Sequence, residues 1–167
     1  MAGMTTRLWR HFVTDRHDVH RTFSRDDLER IGRTIGEGET RHAGQVCFVV
    51  EAALPLPRIW YRVRSRARAL EVFGLLRIWD TEANDGVLLY VLLADHAVEI
   101  IADRGIDARV GDAAWQAICR RIEAAFRAGR FTDGVDQGIR EISALLAQHS
   151  PRSGPGRNEI SDAPVVL

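Results

Sequence analysis

The sequence predicts an α/β domain: a three-layer α/β/α sandwich around a small mixed sheet of three to four strands. Three observations carry this expectation. Val46-Cys47-Phe48-Val49-Val50 and Val87-Leu88-Leu89-Tyr90-Val91-Leu92-Leu93 are runs without a polar face, as in strands covered on both sides. Segments of helical periodicity precede, separate and follow them. The interval between the runs is long enough for a crossover helix, which predicts a right-handed βαβ unit with parallel strands.

Taken in order, Leu8, Phe12, Val19 and Phe23 recur at roughly helical spacing among basic groups, so residues 1–23 read as a helical extension. Ser24 followed by Arg25-Asp26-Asp27 is a helix start, with a capping hydroxyl and acids at the positive end of the dipole. Leu28, Ile31 and Ile35 mark its buried face, and Gly32, Gly36 and Gly38 weaken it, so that it ends before Gly44. Pro55 and Pro57 close the first strand. A single long helix is expected from about Arg58 to Trp79, with Trp60, Val63, Ala67 and Leu70 on one side. After the second strand, a tight two-residue turn at Asp95-His96 leads into an alternating strand over Ala97 to Asp103, with Glu99 marking an edge. In that register Leu92 faces Glu99 and Leu88 faces Asp103. Asp112 is expected to cap a helix through Trp115, Ile118, Cys119, Ile122 and Phe126. Gly129 ends it, and a last helix follows through Phe131, Val135, Ile139, Ile142 and Leu146. From Ser150 onward, prolines, glycines and few apolar residues read as a disordered tail. The domain is thus expected over residues 24–149, flanked by the extension and a tail at 150–167.

A chain of 167 residues supports one well-buried core. Lys+Arg and Asp+Glu are both 23, so the formal charge is zero and the net basic character of a nucleic-acid-binding domain is missing. Cys47 and Cys119 sit in apolar segments and read as small buried hydrophobes. The N-terminal residues lack the apolar stretch of a secretory signal, and the run from Val87 to Ala94 is too short to span a bilayer. The expectation is a cytoplasmic protein that does not itself cross a membrane.

The chemistry-bearing candidates are mainly acidic. Asp85 and Asp103 are expected at one end of the sheet, with Glu82, Asp107 and Asp112 on loops nearby. Carboxylates converging from several segments suit calcium or magnesium, which prefer oxygen ligands; the alternative is that they are ordinary strand-end and helix-capping acids. Arg58, Arg62 and Arg66 share a helical face and form either a site for phosphate or an acidic partner, or a solvated surface. His17 and His20 are three apart, too few for a zinc site. Nucleophile-elbow, phosphate-loop and H-E-x-x-H motifs are absent, and Ser65 and Ser143 lie in helical patterns that present a nucleophile poorly.

Asn84-Asp85-Gly86-Val87-Leu88-Leu89 resembles the entry into the central strand of the TPM domain family, with Asp85 in place of a second asparagine. The hairpin Ala94-Asp95-His96-Ala97-Val98-Glu99-Ile100 and the junction Phe126-Arg127-Ala128-Gly129-Arg130-Phe131-Thr132-Asp133-Gly134 fit the same family, and the likeness covers about Asp27 to His149. It implies an α/β/α sandwich, divalent cations such as calcium at acidic loops, and, by analogy with plant relatives, acid phosphatase activity. The family's Gly-x-Gly-Leu-Glu element appears here as Asp103-Arg104-Gly105-Ile106-Asp107. The resemblance is to a short branch without signal peptide or membrane helix. It implies an accessory or binding module with a protein partner such as a LemA-type protein or a membrane-anchored TPM protein, or alternatively a metal-assisted acid phosphatase.

Overall fold

The computed structural model describes residues 2–61, 63–154 and 158–167. Helices α1 (Ala2–Val13), α2 (Arg16–Thr22) and α3 (Arg25–Glu39) precede strand β1 (Gln45–Glu51). Helices α4 (Leu56–Trp60) and α5 (Ser65–Leu75) cross to β2 (Gly86–Leu92). Strand β3 (Ala97–Ala102) and helices α6 (Arg104–Val110), α7 (Asp112–Arg127) and α8 (Phe131–His149) follow, and β4 (Val165–Val166) ends the chain. The sheet order is β3-β2-β1-β4, with β1 parallel to β2 and β4, and β3 antiparallel to β2 at the edge.

Every residue of β1 and β2 is buried. Alternation then sends successive side chains to opposite layers. Val46, Phe48, Val50, Val87, Leu89 and Val91 join Ile31 and Ile35 of α3, Ile118 and Ile122 of α7, and Ile139 and Ile142 of α8. Cys47, Val49, Leu88, Tyr90 and Leu92 face Ala69 and Val72 of α5. These two cores are the physical content of the three layers. Ser24 caps α3 as expected, its hydroxyl accepting from Asp27 N–H while the Asp27 carboxylate accepts from Ser24 N–H.

Several expectations are corrected. The long helix over 58–79 is two helices, because Arg64 is extended (φ −88°, ψ 155°) and restarts the backbone. The buried positions are Ile59, Ala69 and Val72, whereas Trp60 and Leu70 are exposed. The rotation of α5 is set by a polar anchor: Arg68 donates to both carboxylate oxygens of buried Glu51, at 2.9–3.2 Å, and the Tyr90 hydroxyl donates to Glu51 at 2.6 Å. The hairpin turn is a short 3-10 segment at Leu93–Asp95 with left-handed His96, so Leu92 pairs with Ala97, Tyr90 with Glu99 and Leu88 with Ile101. A helix unforeseen in the sequence, α6, follows β3 with Asp103 as its cap; Gly111 rather than Asp112 opens α7. Phe12 is exposed, while Val19 and Phe23 belong to the main core, so α2 is part of the domain.

The largest correction concerns the tail. Residues 158–167 return across α3 to the sheet. The Gln45 side-chain carbonyl accepts from Glu159 and Ile160 N–H, at 2.7 and 3.0 Å. Val165 and Val166 then pair with Val49 and Val50. A β1 edge left open would present unpaired backbone groups, and Val165, Val166 and Leu167 cover its C-terminal part, from Val49 to Ala52.

Candidate functional site: an acidic cleft at one end of the sheet

The five acids expected to hold a cation are placed as follows. Asp85 and Asp103 do meet at one end of the sheet, where Asp103 N–H donates to Gly86 C=O at 2.9 Å and Ile106 N–H to Asn84 C=O at 3.2 Å. Both are buried. One Asp85 oxygen accepts from the Ser150 hydroxyl at 2.8 Å. Asp103 accepts from Arg104 N–H at 2.6 Å, and its second oxygen is buried without a hydrogen-bond partner. Asp107 is exposed on α6 and accepts from the Trp115 indole at 3.0 Å. Asp112 and Glu82 are exposed. The free Asp103 oxygen offers one ligand, but among the described residues no three His, Cys, Asp or Glu side chains converge as a metal ion requires. As placed, these acids do not form a divalent-cation shell.

A different acidic arrangement lies beside them. At the N-terminal ends of β1 and β2, a cleft of about 400 Å³ is lined by Glu39, His42, Gln45, Glu82, Arg152 and Asp162, among others. Glu39 is the last residue of α3. It is buried and accepts from Val46 N–H at 2.9 Å, which ties the helix end to the first strand. Asp162 reaches it over the small faces of Gly32 and Gly36; a Cβ at Gly36 would stand 2.9 Å from the Asp162 carboxylate. Burial raises the Glu39 pKa from its ordinary 4.5 to about 7, and although the Val46 hydrogen bond opposes this, the neighbouring Asp162 carboxyl adds to it. Arg152 donates to the Glu39 backbone carbonyl at 2.7 Å, so its cation sits at the rim.

Behind the cleft, His42 Nδ1 lies 2.9 Å from Gly44 C=O. The proton on that nitrogen leaves Nε2 as an acceptor, and Nε2 is buried without a hydrogen-bond partner, as is Ser143 Oγ. Burial lowers the His42 pKa, keeping the ring neutral. Both groups face Gly38, where a Cβ would fall 2.2 Å from Ser143 Oγ and 3.5 Å from His42 Nε2.

Of the residues singled out from sequence, only Glu82 lines this cleft. Glu39 and Asp162 escaped notice because one ends a helix and the other lies in a segment read as disordered. The available signal was Val165-Val166-Leu167, a short β-branched run after polar residues, which is how an edge strand reads. Arg58 pairs with Glu71 and Arg66 approaches Glu99 at 3.7 Å, while Arg62 lies outside the described residues, so the expected three-arginine face is not a common patch in the part described. No described helix is long and apolar enough to cross a membrane.

No curated protein matches the chain. Among solved structures, the NMR structure of the BA42 protein from the psychrophilic bacterium Bizionia argentinensis is similar, with a TM-score of 0.77 and 24% identity over 87% of this chain and 95% of that one. That likeness supports the fold. The family model of the TPM domain matches residues 17–145, most of the chain, from α2 into α8 and including strands β1 to β3. With the Asn84-Asp85-Gly86 entry packed on the Asp103–Asp107 element as described, the chain belongs to the TPM domain family.

Proposed function

We propose that this TPM domain is a binding module whose acidic cleft engages a basic segment of a protein partner, with divalent cations competing for the same carboxylates. The observation that carries the reading is the Glu39–Asp162 pair: two carboxyls set side by side in a cleft, one of them held partly protonated near neutrality. A bound ammonium or guanidinium offsets the burial penalty and the smaller Asp162 repulsion that together keep a proton there. Glu82 and Glu159, at the mouth of the same cleft, extend the negative field. A membrane-linked partner of the LemA or membrane-anchored TPM type is compatible with this chemistry if it presents lysines or arginines.

Calorimetry with a synthetic lysine- and arginine-rich peptide tests the reading. Binding weakened about tenfold or more in the Glu39→Gln/Asp162→Asn double variant is expected, as two charge-assisted contacts are lost, together with displacement by millimolar calcium or magnesium. Absence of heat, or heat unchanged in the double variant, would refute it. Phosphomonoester hydrolysis that requires added metal and is lost with Asp103→Asn would establish the phosphatase alternative instead.

A further inference from the structure

Residues 158–167 lie on the sheet as a strap, and none of them is fully buried. Hydrogen bonds hold it at two places. Near its start, Gln45 accepts from Glu159 and Ile160 N–H, and the Glu159 carboxylate accepts from Glu82 N–H at 3.3 Å. At its end, Leu167 N–H donates to Val50 C=O at 3.0 Å and Ala52 N–H to Leu167 C=O at 3.3 Å, beside the pairing of β4 with β1. Ile160, Val165 and Leu167 rest half-buried on the second core, and Val166 on the main one. A segment held by so short a ladder and so little buried apolar surface opens locally, well before the domain unfolds.

Between those two attachments the strap crosses α3, where the approach is close but the charges oppose it. A Cβ at Gly32 would stand 3.3 Å from the Asp162 carbonyl oxygen and 3.4 Å from Pro164. With the same closeness at Gly36, the strap lies flat on the helix and sets Asp162 against Glu39. The Asp162 carboxylate accepts from Asn158 at 2.8 Å, a bond within the strap that does not fasten it to the body. The cleft is thus a seam between two parts: Glu39 and Glu82 belong to the body, Asp162 and Glu159 to the strap. Like charges facing each other across a seam resist its closing, and a cation seated between them draws both sides together.

We propose that the strap is the moving jaw of the cleft: a cationic group held between Glu39 and Asp162 fastens residues 158–167 onto α3 and β1, so that the partner that fills the cleft also keeps the β1 edge covered. This rests on the basic-segment reading of the cleft and adds its regulation. A ligand shifts an equilibrium only through its differential affinity for the two states; the docked strap presents Asp162 opposite Glu39, and the undocked strap leaves Glu39 without it. The coupling is reciprocal. Whatever loosens β4 weakens the partner, and the partner holds β4 down by the same factor, about tenfold for one charge-assisted contact. With the strap away, Val50 C=O and Ala52 N–H lose their partners in Leu167, and an open edge of this kind pairs with other chains. The empty domain therefore associates through β1 more readily than the occupied one.

The test is amide hydrogen exchange of the full chain at a single pH, free and saturated with the lysine- and arginine-rich peptide, with calorimetry under the same conditions. The Ile160, Leu167 and Ala52 amides are expected to exchange about tenfold more slowly with the peptide bound, and this slowing should be lost in Asp162→Asn. The Val165→Gly/Val166→Gly variant loosens β4 and keeps both carboxyls; it should bind the peptide about tenfold more weakly than the wild type. The exchange measurement on the wild type stands whether or not that variant folds. Heat of binding with strap exchange unchanged, slowing retained in Asp162→Asn, or undiminished affinity in the β4 variant overturns the coupled strap and leaves the cleft reading in place. Absence of heat with the wild type overturns both.

Discussion

Replacing Glu39 by glutamine keeps an acceptor for Val46 N–H and removes the titrating proton. The wild-type carboxyl moves from an ordinary pKa of 4.5 to about 7 on folding. A raised pKa means the folded state binds the proton more tightly, so this contribution to stability is full below pH 4.5 and is lost as pH rises through 7. At about 1.4 kcal/mol per pH unit the ceiling is about 3 kcal/mol, and screening by water in the cleft brings the expected loss nearer 2 kcal/mol. His42 faces the same region with a lowered pKa and contributes in the opposite sense, its stability lost as pH falls. Asp162 and the Arg152 cation also act on Glu39. The useful readout is therefore the difference between wild type and variant, in which the His42 contribution largely cancels. Urea unfolding followed by tryptophan fluorescence at pH 5 and pH 8 supplies it. Glu39→Gln should be more stable than wild type by about 2 kcal/mol at pH 8, and the gap should close or reverse at pH 5. A variant whose advantage is the same at both pH values would refute the reasoning.

Other substitutions probe the packing that positions the cleft. Arg68→Met leaves buried Glu51 facing only the Tyr90 hydroxyl and should destabilise the fold by about 3 kcal/mol, whereas Tyr90→Phe should remove only about 1–2 kcal/mol in the same denaturation assay. Gly38→Ala forces a methyl into Ser143 Oγ; a loss of about 1–3 kcal/mol is expected, partly restored by adding Ser143→Gly. Deleting residues 163–167 uncovers the β1 edge, and light scattering should show concentration-dependent association that the full chain lacks.

The apolar strands could be read directly because a run with no polar face has one physical solution, burial on both sides. Ser24 and Asp27 were equally legible, since a capping box is local and needs only residues three apart. The hairpin register was not, because two additional turn residues, Leu93 and Ala94, shift every cross-strand pair by two, and the left-handed conformation of His96 carries no strong residue signature. The phase of α5 misled for a different reason. Its rotation follows the Arg68–Glu51 ion pair, and a stripe drawn through Trp60 and Leu70 assumes that apolar contacts alone orient a helix.

The sequence by itself determined the sandwich, the family likeness and the presence of acids on the loops before β2 and after β3, because period, composition and capping act over short distances. Only the tertiary structure decided which acids act together. Asp162 lies more than a hundred positions from Glu39, and the two meet because a terminal strand of two residues completes the sheet and draws the intervening segment over the glycine face of α3. The same holds for helix α1: its orientation is set by Asp95, on the turn after β2, which accepts from Arg7 and Arg10, and by Leu8, which packs against the second core.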